Sequence, residues 1–491
     1  MASTNNTKQA SWIAIGSLFS FGFTIVSSMI LSRYFSKADY GTYKQVLYVY
    51  HTMLTVFTLG LPKAYSYFLP RVEINQAKSL IRKLTRLFFG LGAVFTVVLF
   101  FGAELIADIL KNSDLKDAIR LFSVVPLFTL PTMGLEGILS TYRKTQFMTF
   151  YTIGTRMMML LCVALPVMFF GLGYMEAIMG FVVSSAIACI LALLLKYYPV
   201  RNAGNEKTEI TVGEIFRFSM PLLYASLWGM LIHQCDQFFI SRYFGNEVFA
   251  EFSNGSMELP FVGMIIGACA AVLSPIFSRM SHEQVDFQKE VLPLWMSVFD
   301  KTVKLIYPLV LFCLFFADEV MVLLYGNQYE CSAIYFRIKL IANFFTVISF
   351  APMVINTGNV KYYQNVHMYG AVILIVMEYV SILLFNSPYI ITIISVVCHL
   401  GRIYCMLHLC AKLFGVGVIK IFPVKSIFNI VLSSVIILAF IRLLLHSDLL
   451  PTMSPLLVCL LSFTLYSALY ILYCLKSGID YQSIIKPLFH K

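Results

Sequence analysis

Charged side chains are scarce in this sequence, and their scarcity excludes a water-soluble domain. Only 12% of the 491 residues are Asp, Glu, Lys or Arg, whereas 59% are hydrophobic and the mean hydropathy is +0.81. Soluble domains usually carry about 25% charged residues. The hydrophobic residues form long runs separated by short polar connections, and about 20 mainly apolar residues let a helix cross a bilayer. The composition therefore predicts an all-α, polytopic membrane protein.

Cysteines in a metal-binding or redox spacing are also missing. None of the eleven cysteines forms a C-x-x-C pair, and most of them fall inside hydrophobic runs. This pattern is typical of small buried hydrophobic side chains rather than of disulfides or metal ligands. No polar connection is long enough for a catalytic domain, which argues against a membrane-embedded glycosyltransferase or polymerase. We therefore expect a protein that is not an enzyme and that has no metal or cofactor.

Fourteen hydrophobic runs are long enough to span a membrane. The first is too long for the apolar part of a signal peptide and lacks an A-x-A cleavage site, so we expect an uncleaved helix. The predicted spans are 11–31, 46–68, 87–109, 118–140, 150–170, 174–195, 218–240, 254–276, 303–324, 334–356, 366–386, 388–411, 422–445 and 451–475.

Lys and Arg concentrate in every second connection. With the N-terminus inside, 23 of the 36 basic residues fall in inner segments, and seven fall within spans. The outer connections hold only six: Arg33, Lys37, Lys44, Lys111, Lys116 and Arg242. By the positive-inside rule both termini are predicted to be cytoplasmic. The net charge of +11 thus reflects topology and contact with anionic lipid headgroups, and no nucleic-acid partner is expected.

A short motif recurs at the ends of the first and seventh spans. Ser32-Arg33-Tyr34-Phe35 is matched by Ser241-Arg242-Tyr243-Phe244, and aromatic residues follow both copies at equal offsets. Six spans separate the copies, so the two halves share one orientation, as in transporters built from parallel repeats. The sequence predicts two pseudo-symmetric six-helix lobes with a substrate site at mid-membrane. The predicted N-terminal lobe is 1–200 and the predicted C-terminal lobe is 201–412, with a cytoplasmic linker near 196–217. Two extra helices follow in 413–491.

Four segments carry a resemblance to a known family. The stretch from Ser32 to Tyr43 resembles the "lg…eyG.y" signature of Wzx-type polysaccharide flippases in the MOP (multidrug, oligosaccharidyl-lipid, polysaccharide) superfamily. Asp236 to Gly245 is similar to that family's "D…i…fG" pattern, Gly60 to Arg71 to its second helix, and Leu324 to Tyr329 to its ninth-span ending. Ala250 departs from the family, which often has Gly there. The resemblance implies lipid-linked oligosaccharides as cargo.

Basic residues within predicted spans are candidates for binding an anionic headgroup. Lys63, Arg156 and Arg402 lie toward the cytoplasmic half of their spans, and Arg337 lies toward the outer half. Each costs roughly 2.5–3.5 kcal/mol in the bilayer on insertion scales, so each needs a reason to be there. One reason is a diphosphate in a central cavity, since Arg grips phosphate oxygens with its planar fork. The alternative is that Lys63 and Arg156 extend to the membrane interface.

Two acidic residues within spans are candidates for cation coupling. Asp236 and Glu378 lie toward the outer halves of spans seven and eleven. The superfamily resemblance implies Na⁺ or H⁺ coupling through acidic groups of the second lobe. The alternative is a structural salt bridge to Arg337 or Arg402.

The sequence thus predicts a flippase of the bacterial inner membrane. Its cargo would be an undecaprenyl-diphosphate-linked oligosaccharide, moved to the outer leaflet by alternating access for polysaccharide biosynthesis. Its partners would be membrane lipids and the polysaccharide polymerase and glycosyltransferases. The alternative is a multidrug or small-molecule cation-coupled antiporter of the same superfamily. The seven in-span basic residues favour the flippase, because exporters of cationic drugs favour an acidic lumen.

Overall fold

A computed structural model describes residues 2–346, 350–445, 453–477 and 481. Over these ranges the regular structure is helical and contains no β-strand, which confirms the all-α prediction. Lys486 and Lys491, two of the 23 basic residues of the predicted inner segments, lie outside the described residues. All eleven cysteines are free thiols.

The chain forms two compact units, Met1–Ala250 and Glu251–Lys491, and each is described by itself. The first contains α1 (Ala2–Tyr34), α2 (Lys37–Phe57), α3 (Pro62–Phe68), α4 (Ile74–Leu110), α5 (Leu115–Phe122), α6 (Val125–Thr129), α7 (Leu135–Thr141), α8 (Thr145–Met159), α9 (Leu165–Phe170), α10 (Tyr174–Tyr197) and most of α11 (Val212–Gly255). The second contains α12 (Pro260–His282), α13 (Leu292–Phe315), α14 (Ala317–Tyr325), α15 (Ser332–Asn343), α16 (Phe350–Asn356), α17 (Val360–Phe385), α18 (Pro388–Leu413), α19 (Val424–Leu445) and α20 (Pro455–Ser477).

The lobe boundaries predicted at 200/201 and 412/413 stay a prediction, because packing density alone does not define a structural repeat. The predicted linker does contain a non-helical stretch, 201–211. It is fixed to the start of α4, where Asn75 accepts a hydrogen bond from the Gly204 amide at 3.1 Å and Lys83 donates to the Ile210 carbonyl at 2.5 Å.

Eleven helical segments in the described ranges are long and apolar enough to cross a membrane, or twelve if one bent pair counts as a single span. The predicted count of fourteen is therefore not confirmed. The difference comes from predicted spans 46–68, 303–324 and 334–356, each of which the structure interrupts.

The prediction of a continuous helix over 46–68 is wrong because the backbone reverses its handedness near Gly60. Leu59 and Gly60 have φ values of +48° and +69°, and Pro62 then begins α3. A methyl group at Gly60 would lie 2.7 Å from the Ser219 carbonyl oxygen of α11. Glycine is therefore needed here both for the left-handed conformation and for the close approach of α11.

The predicted span 303–324 bends by 78° between α13 and α14. An ion cluster sits at the bend. Arg337 of α15 makes a bidentate pair with Asp318 of α14, and Arg442 of α19 contacts the same carboxylate at 3.4 Å. Arg442 also donates to the Phe315 carbonyl, a group that the bend removes from regular helical hydrogen bonding. The cluster thus ties three helices together where the chain turns.

The predicted span 334–356 is also interrupted. α15 ends at Asn343, α16 begins at Phe350, and residues 347–349 lie outside the described part of the chain. Beyond the end of α15, the Phe344 carbonyl accepts a hydrogen bond from the Tyr307 hydroxyl of α13 at 2.5 Å. This hydrogen bond ties α13 to the chain just after the end of α15.

Candidate functional site

Arg156 lies on α8 within a group of polar side chains from three membrane helices. Its Nε donates to the Ser20 hydroxyl of α1 at 3.1 Å, and the two helices pack along each other. It is also close enough to His51 of α2 for an electrostatic interaction. Arg156 and His51 are both exposed although they lie on apolar helices. The guanidinium therefore lies over α1 at membrane depth, with hydroxyl and imidazole groups around it.

His51 was missed at the sequence level. A histidine within a predicted span was the available signal, but only the contact between helices reveals that it accompanies Arg156.

Lys63 is exposed on α3, directly after the break at Gly60. The opposite face of α3 is buried and carries Tyr65, which is fully enclosed. Lys196 of α10 donates to the Tyr65 hydroxyl at 3.1 Å and to the Met133 carbonyl at 2.6 Å. Lys196 lies in the last turn of α10 and is itself fully buried. The buried lysine fixes the helix that presents Lys63.

A buried polar network joins α2, α11 and the connection after α4. Gln45 donates to the Ser241 hydroxyl at 2.8 Å. Asn112 donates to Gln45 at 2.6 Å and to Thr42 at 3.0 Å. Asn246 donates to Thr42 at 3.2 Å. We call these five residues the polar network. Thr42 follows the first motif copy and Asn246 follows the second, so the network joins the segments that follow the two copies.

Asp236 is buried on α11, five positions before Ser241 of the polar network. Its carboxylate accepts a hydrogen bond from the Gln237 amide at 2.9 Å and interacts electrostatically with Tyr48 of α2. A buried carboxylate in a membrane helix is costly, so its presence calls for a specific role.

In the second unit, Glu378 is fully buried on α17, which packs against the helix that carries Arg402. Arg402 of α18 contacts His399 Nδ1 at 3.0 Å. Its aliphatic stem lies on α17 at Gly370, where a methyl group would be 2.5 Å from Arg402 Cδ. Arg402 and Glu378 both act electrostatically on Cys398, so the structure brings these two predicted site residues near each other.

Arg337, the fourth predicted basic site residue, lies in the ion cluster with Asp318. Within the described residues no group of three or more His, Cys, Asp and Glu side chains is placed to hold a metal ion.

Comparison with known proteins identifies the family. Residues 30–334 match the family described as "Polysaccharide biosynthesis protein". The lipopolysaccharide biosynthesis protein WzxC of Escherichia coli (strain K12) is 26% identical over 246 residues, which are 49% of this chain and 47% of that protein. The chain thus spans about half the length of this curated relative.

Two solved structures share the fold. The lipid II flippase MurJ in an inward closed conformation matches with a TM-score of 0.71 at 13% identity, covering 95% of this chain and 99% of that one. An inward-facing multidrug resistance MATE transporter matches with a TM-score of 0.62 at 12% identity, covering 82% and 98%. At these identities the similarity concerns the fold alone. The family match nevertheless covers more than half of the sequence, and the chain belongs to the polysaccharide biosynthesis protein family, as a multi-pass membrane protein.

Proposed function

We propose that this protein flips an undecaprenyl-diphosphate-linked oligosaccharide from the cytoplasmic to the outer leaflet of the bacterial inner membrane. Membership of the polysaccharide biosynthesis family and the MurJ-like fold support a lipid-linked cargo. The observation that carries the proposal is Arg156, an exposed guanidinium at membrane depth whose hydrogen bonds go to a hydroxyl and a thioether. Both termini would be cytoplasmic, and the polymerase and glycosyltransferases of the same biosynthesis would be its partners.

The guanidinium suits a diphosphate for two reasons. It offers several N–H donors in a planar fork that matches phosphate oxygens. A bound anion would also stabilise the guanidinium, because an unpaired charge at the centre of a membrane helix is costly. Lys63 on α3 provides a second, more flexible positive charge in the same unit, and Arg402 with His399 provides one in the other.

Transport of such a cargo needs no bond to be made or broken. The membrane potential contributes about 2.3 kcal/mol per elementary charge per 100 mV. A diphosphate with about two negative charges would gain about twice that on leaving a negative cytoplasm. Coupling to Na⁺ or H⁺ through Asp236 or Glu378 would add to this driving force.

A multidrug or small-molecule antiporter is the second candidate, and the fold similarity to a MATE transporter favours it. The exposed Arg156 argues against a cationic drug, because its positive charge repels a cation.

The test is flipping of a fluorescent undecaprenyl-diphosphate oligosaccharide in proteoliposomes, read as the fraction of label that becomes accessible to a reductant outside. Arg156→Ala is expected to lower the rate about 10- to 100-fold, which corresponds to losing one or more hydrogen bonds to a charged group. Arg156→Lys should retain part of the activity. Lys144→Ala, at the exposed start of the same helix, is the matched control and should flip normally. Normal flipping by Arg156→Ala, or efflux of cationic dyes without flipping, would contradict the proposal.

A further inference from the structure

The second unit contains an apolar cavity of about 520 Å³. It lies between α13, the residues after α15, and the start of α19, and Tyr307, Phe344, Ile419 and Val431 are among its lining residues. This volume is within the 300–1,000 Å³ typical of small-molecule sites.

The cavity lining offers no polar group for a polar ligand. Tyr307 is the one polar side chain in it, and its hydroxyl is committed to the Phe344 carbonyl at 2.5 Å. Every other lining residue is Leu, Val, Ile or Phe. Water and polar solutes would gain no hydrogen bonds there, whereas a hydrocarbon chain would bury its surface favourably.

The side of the cavity next to Lys420 and Lys425, called its entrance below, is held in a fixed position. The 3₁₀ turn Val418–Ile421, which precedes α19, contributes Val418 and Ile419 to this side. The buried Trp295 of α13 donates its indole N–H to the Ile421 carbonyl at 3.1 Å, and the Phe299 and Phe422 rings pack at 5.3 Å. The site is therefore preformed, which reduces the entropic cost of binding a ligand.

The entrance is also positively charged. Lys420 and Lys425 are exposed and each directly follows a lining residue, Ile419 and Val424 respectively. The segment 412–431 contains three lysines and no acidic residue. On α13, Asp300 is engaged by Lys304 at 2.7 Å, which offsets its negative charge. By the positive-inside rule this entrance faces the cytoplasmic leaflet, whose surface is negative.

The cavity is short and has room for part of one acyl chain. Val424 and Val431 are seven residues apart on α19, so the lined wall runs about 10 Å along the helix. A polyprenyl carrier is several times longer than a phospholipid acyl chain and would exceed this space.

From the apolar lining and the lysines at its entrance, we propose that this cavity binds an anionic phospholipid of the cytoplasmic leaflet. Part of one acyl chain occupies the cavity, and Lys420 and Lys425 bind the phosphate. The lipid braces α19 against α13 and the end of α15. This is a site separate from the cargo site proposed above, and its test does not depend on transport.

Lipid retention tests the site. The protein is delipidated in detergent, equilibrated with mixed micelles containing equal phosphatidylglycerol and phosphatidylcholine, and weighed by native mass spectrometry. We expect one retained lipid with phosphatidylglycerol strongly preferred. Lys420→Gln and Lys425→Gln should each lower that preference about fivefold, since a basic residue near an anionic surface contributes about that factor. Lys361→Gln, an exposed lysine elsewhere in this unit, is the control and should leave the preference unchanged.

A second variant tests the cavity itself. Ile427→Trp fills part of the space, and it should abolish retention of either lipid while the protein keeps its elution volume. Lipid retention that is unchanged in both lysine variants, or that persists in Ile427→Trp, would overturn the proposal. Displacement of the retained lipid by undecaprenyl diphosphate would assign the cavity to the cargo and overturn it as well. Lipid binding that begins only after removal of residues 482–491 would show that the chain's own end is the occupant.

Discussion

Asn246 donates a hydrogen bond to Thr42 at 3.2 Å, so the segments that follow the two copies of the repeated motif touch each other. Gly41 makes this contact possible, because a methyl group there would lie only 2.0 Å from the Asn246 carbonyl oxygen. By the predicted topology this contact closes the outer side. Under the proposed alternating access, it would open when cargo leaves toward the outer leaflet.

Gly41→Ala is expected to separate α2 from α11 and to favour an outward-open state. The added methyl cannot be accommodated at 2.0 Å from a backbone atom unless one helix moves. Spin labels on α2 and α11 should report a longer distance between these helices. Gly22→Ala on α1, where nothing lies within 4 Å, is the matched control and should leave the distance unchanged. An unaltered distance in Gly41→Ala would show that this contact does not separate in transport.

Lys196→Met is expected to destabilise the fold and to lower flipping together. The substitution leaves the buried Met133 carbonyl without the ammonium that donates to it, at a cost of about 1–3 kcal/mol. It also releases Tyr65, and with it the helix that presents Lys63. Thermal unfolding in detergent measures the first effect and the proteoliposome assay the second.

Tyr65→Phe leaves the bond from Lys196 to the Met133 carbonyl in place, because it removes only the hydrogen bonds of the Tyr65 hydroxyl to Lys196 and Thr85 and keeps the packing. It should cost less than Lys196→Met, and the two effects should be non-additive in the double variant. Full additivity would mean that lysine and tyrosine act independently.

Sequence patterns predict the helical class, the family and most spans, because hydrophobic run length and local motifs are properties of contiguous residues. The interruptions of the spans are harder to predict. Gly60-Leu61-Pro62 indicates one of them. Phe316 at the α13–α14 bend, however, is neither glycine nor proline, and the bend depends on an ion cluster assembled from three helices. For the same reason the partners of Lys196 and the polar network were not predicted, since they come from residues far apart in the chain.

The candidate site residues were also predictable only in part. In-span basic and acidic residues can be found by counting, which gave Lys63, Arg156, Arg337, Arg402, Asp236 and Glu378. The partners of these residues depend on how the helices pack. Arg337 pairs with Asp318, whereas Arg156 interacts with a serine and a histidine. Their roles in transport stay predictions.

Asp318→Asn tests the ion cluster at the bend. It leaves two guanidinium groups without their shared carboxylate, and we expect a loss of about 1–3 kcal/mol. This is less than the roughly 3–5 kcal/mol of a fully buried pair, because about a third of each side chain is exposed. Arg337→Met should lose less stability, since Arg442 continues to neutralise Asp318. If the Arg337→Met protein instead has the stability of the unmodified protein but fails to flip cargo, Arg337 binds substrate.

The predicted orientation requires the linker to face the cytoplasm. A reporter enzyme active only outside the inner membrane should be inactive when fused after Arg201 and active when fused after Lys116, at the start of α5. Activity after Arg201 would reverse the orientation and move the proposed lipid site to the other leaflet.

The last prediction concerns Asp236, which is buried five positions before Ser241 and interacts with Tyr48. The matching position before Ser32 in the first motif copy is Ser27, so the two copies differ in charge there. Under the coupling hypothesis, Asp236→Asn keeps the shape and hydrogen-bonding capacity but removes the charge that a cation needs. Flipping in proteoliposomes with imposed Na⁺ or pH gradients should then lose any gradient dependence.

Two controls separate coupling from structure. Glu258→Asn, an exposed acid just before α12, should keep the gradient dependence of the unmodified protein. Glu378→Gln, the other buried candidate, shows whether the second unit carries the site instead. If the carboxylate of Asp236 has a structural role, Asp236→Asn should lower the unfolding temperature and the flipping rate together, at every gradient. Flipping by the unmodified protein that ignores both gradients would rule out coupling, because no carboxylate can then be required to carry an ion.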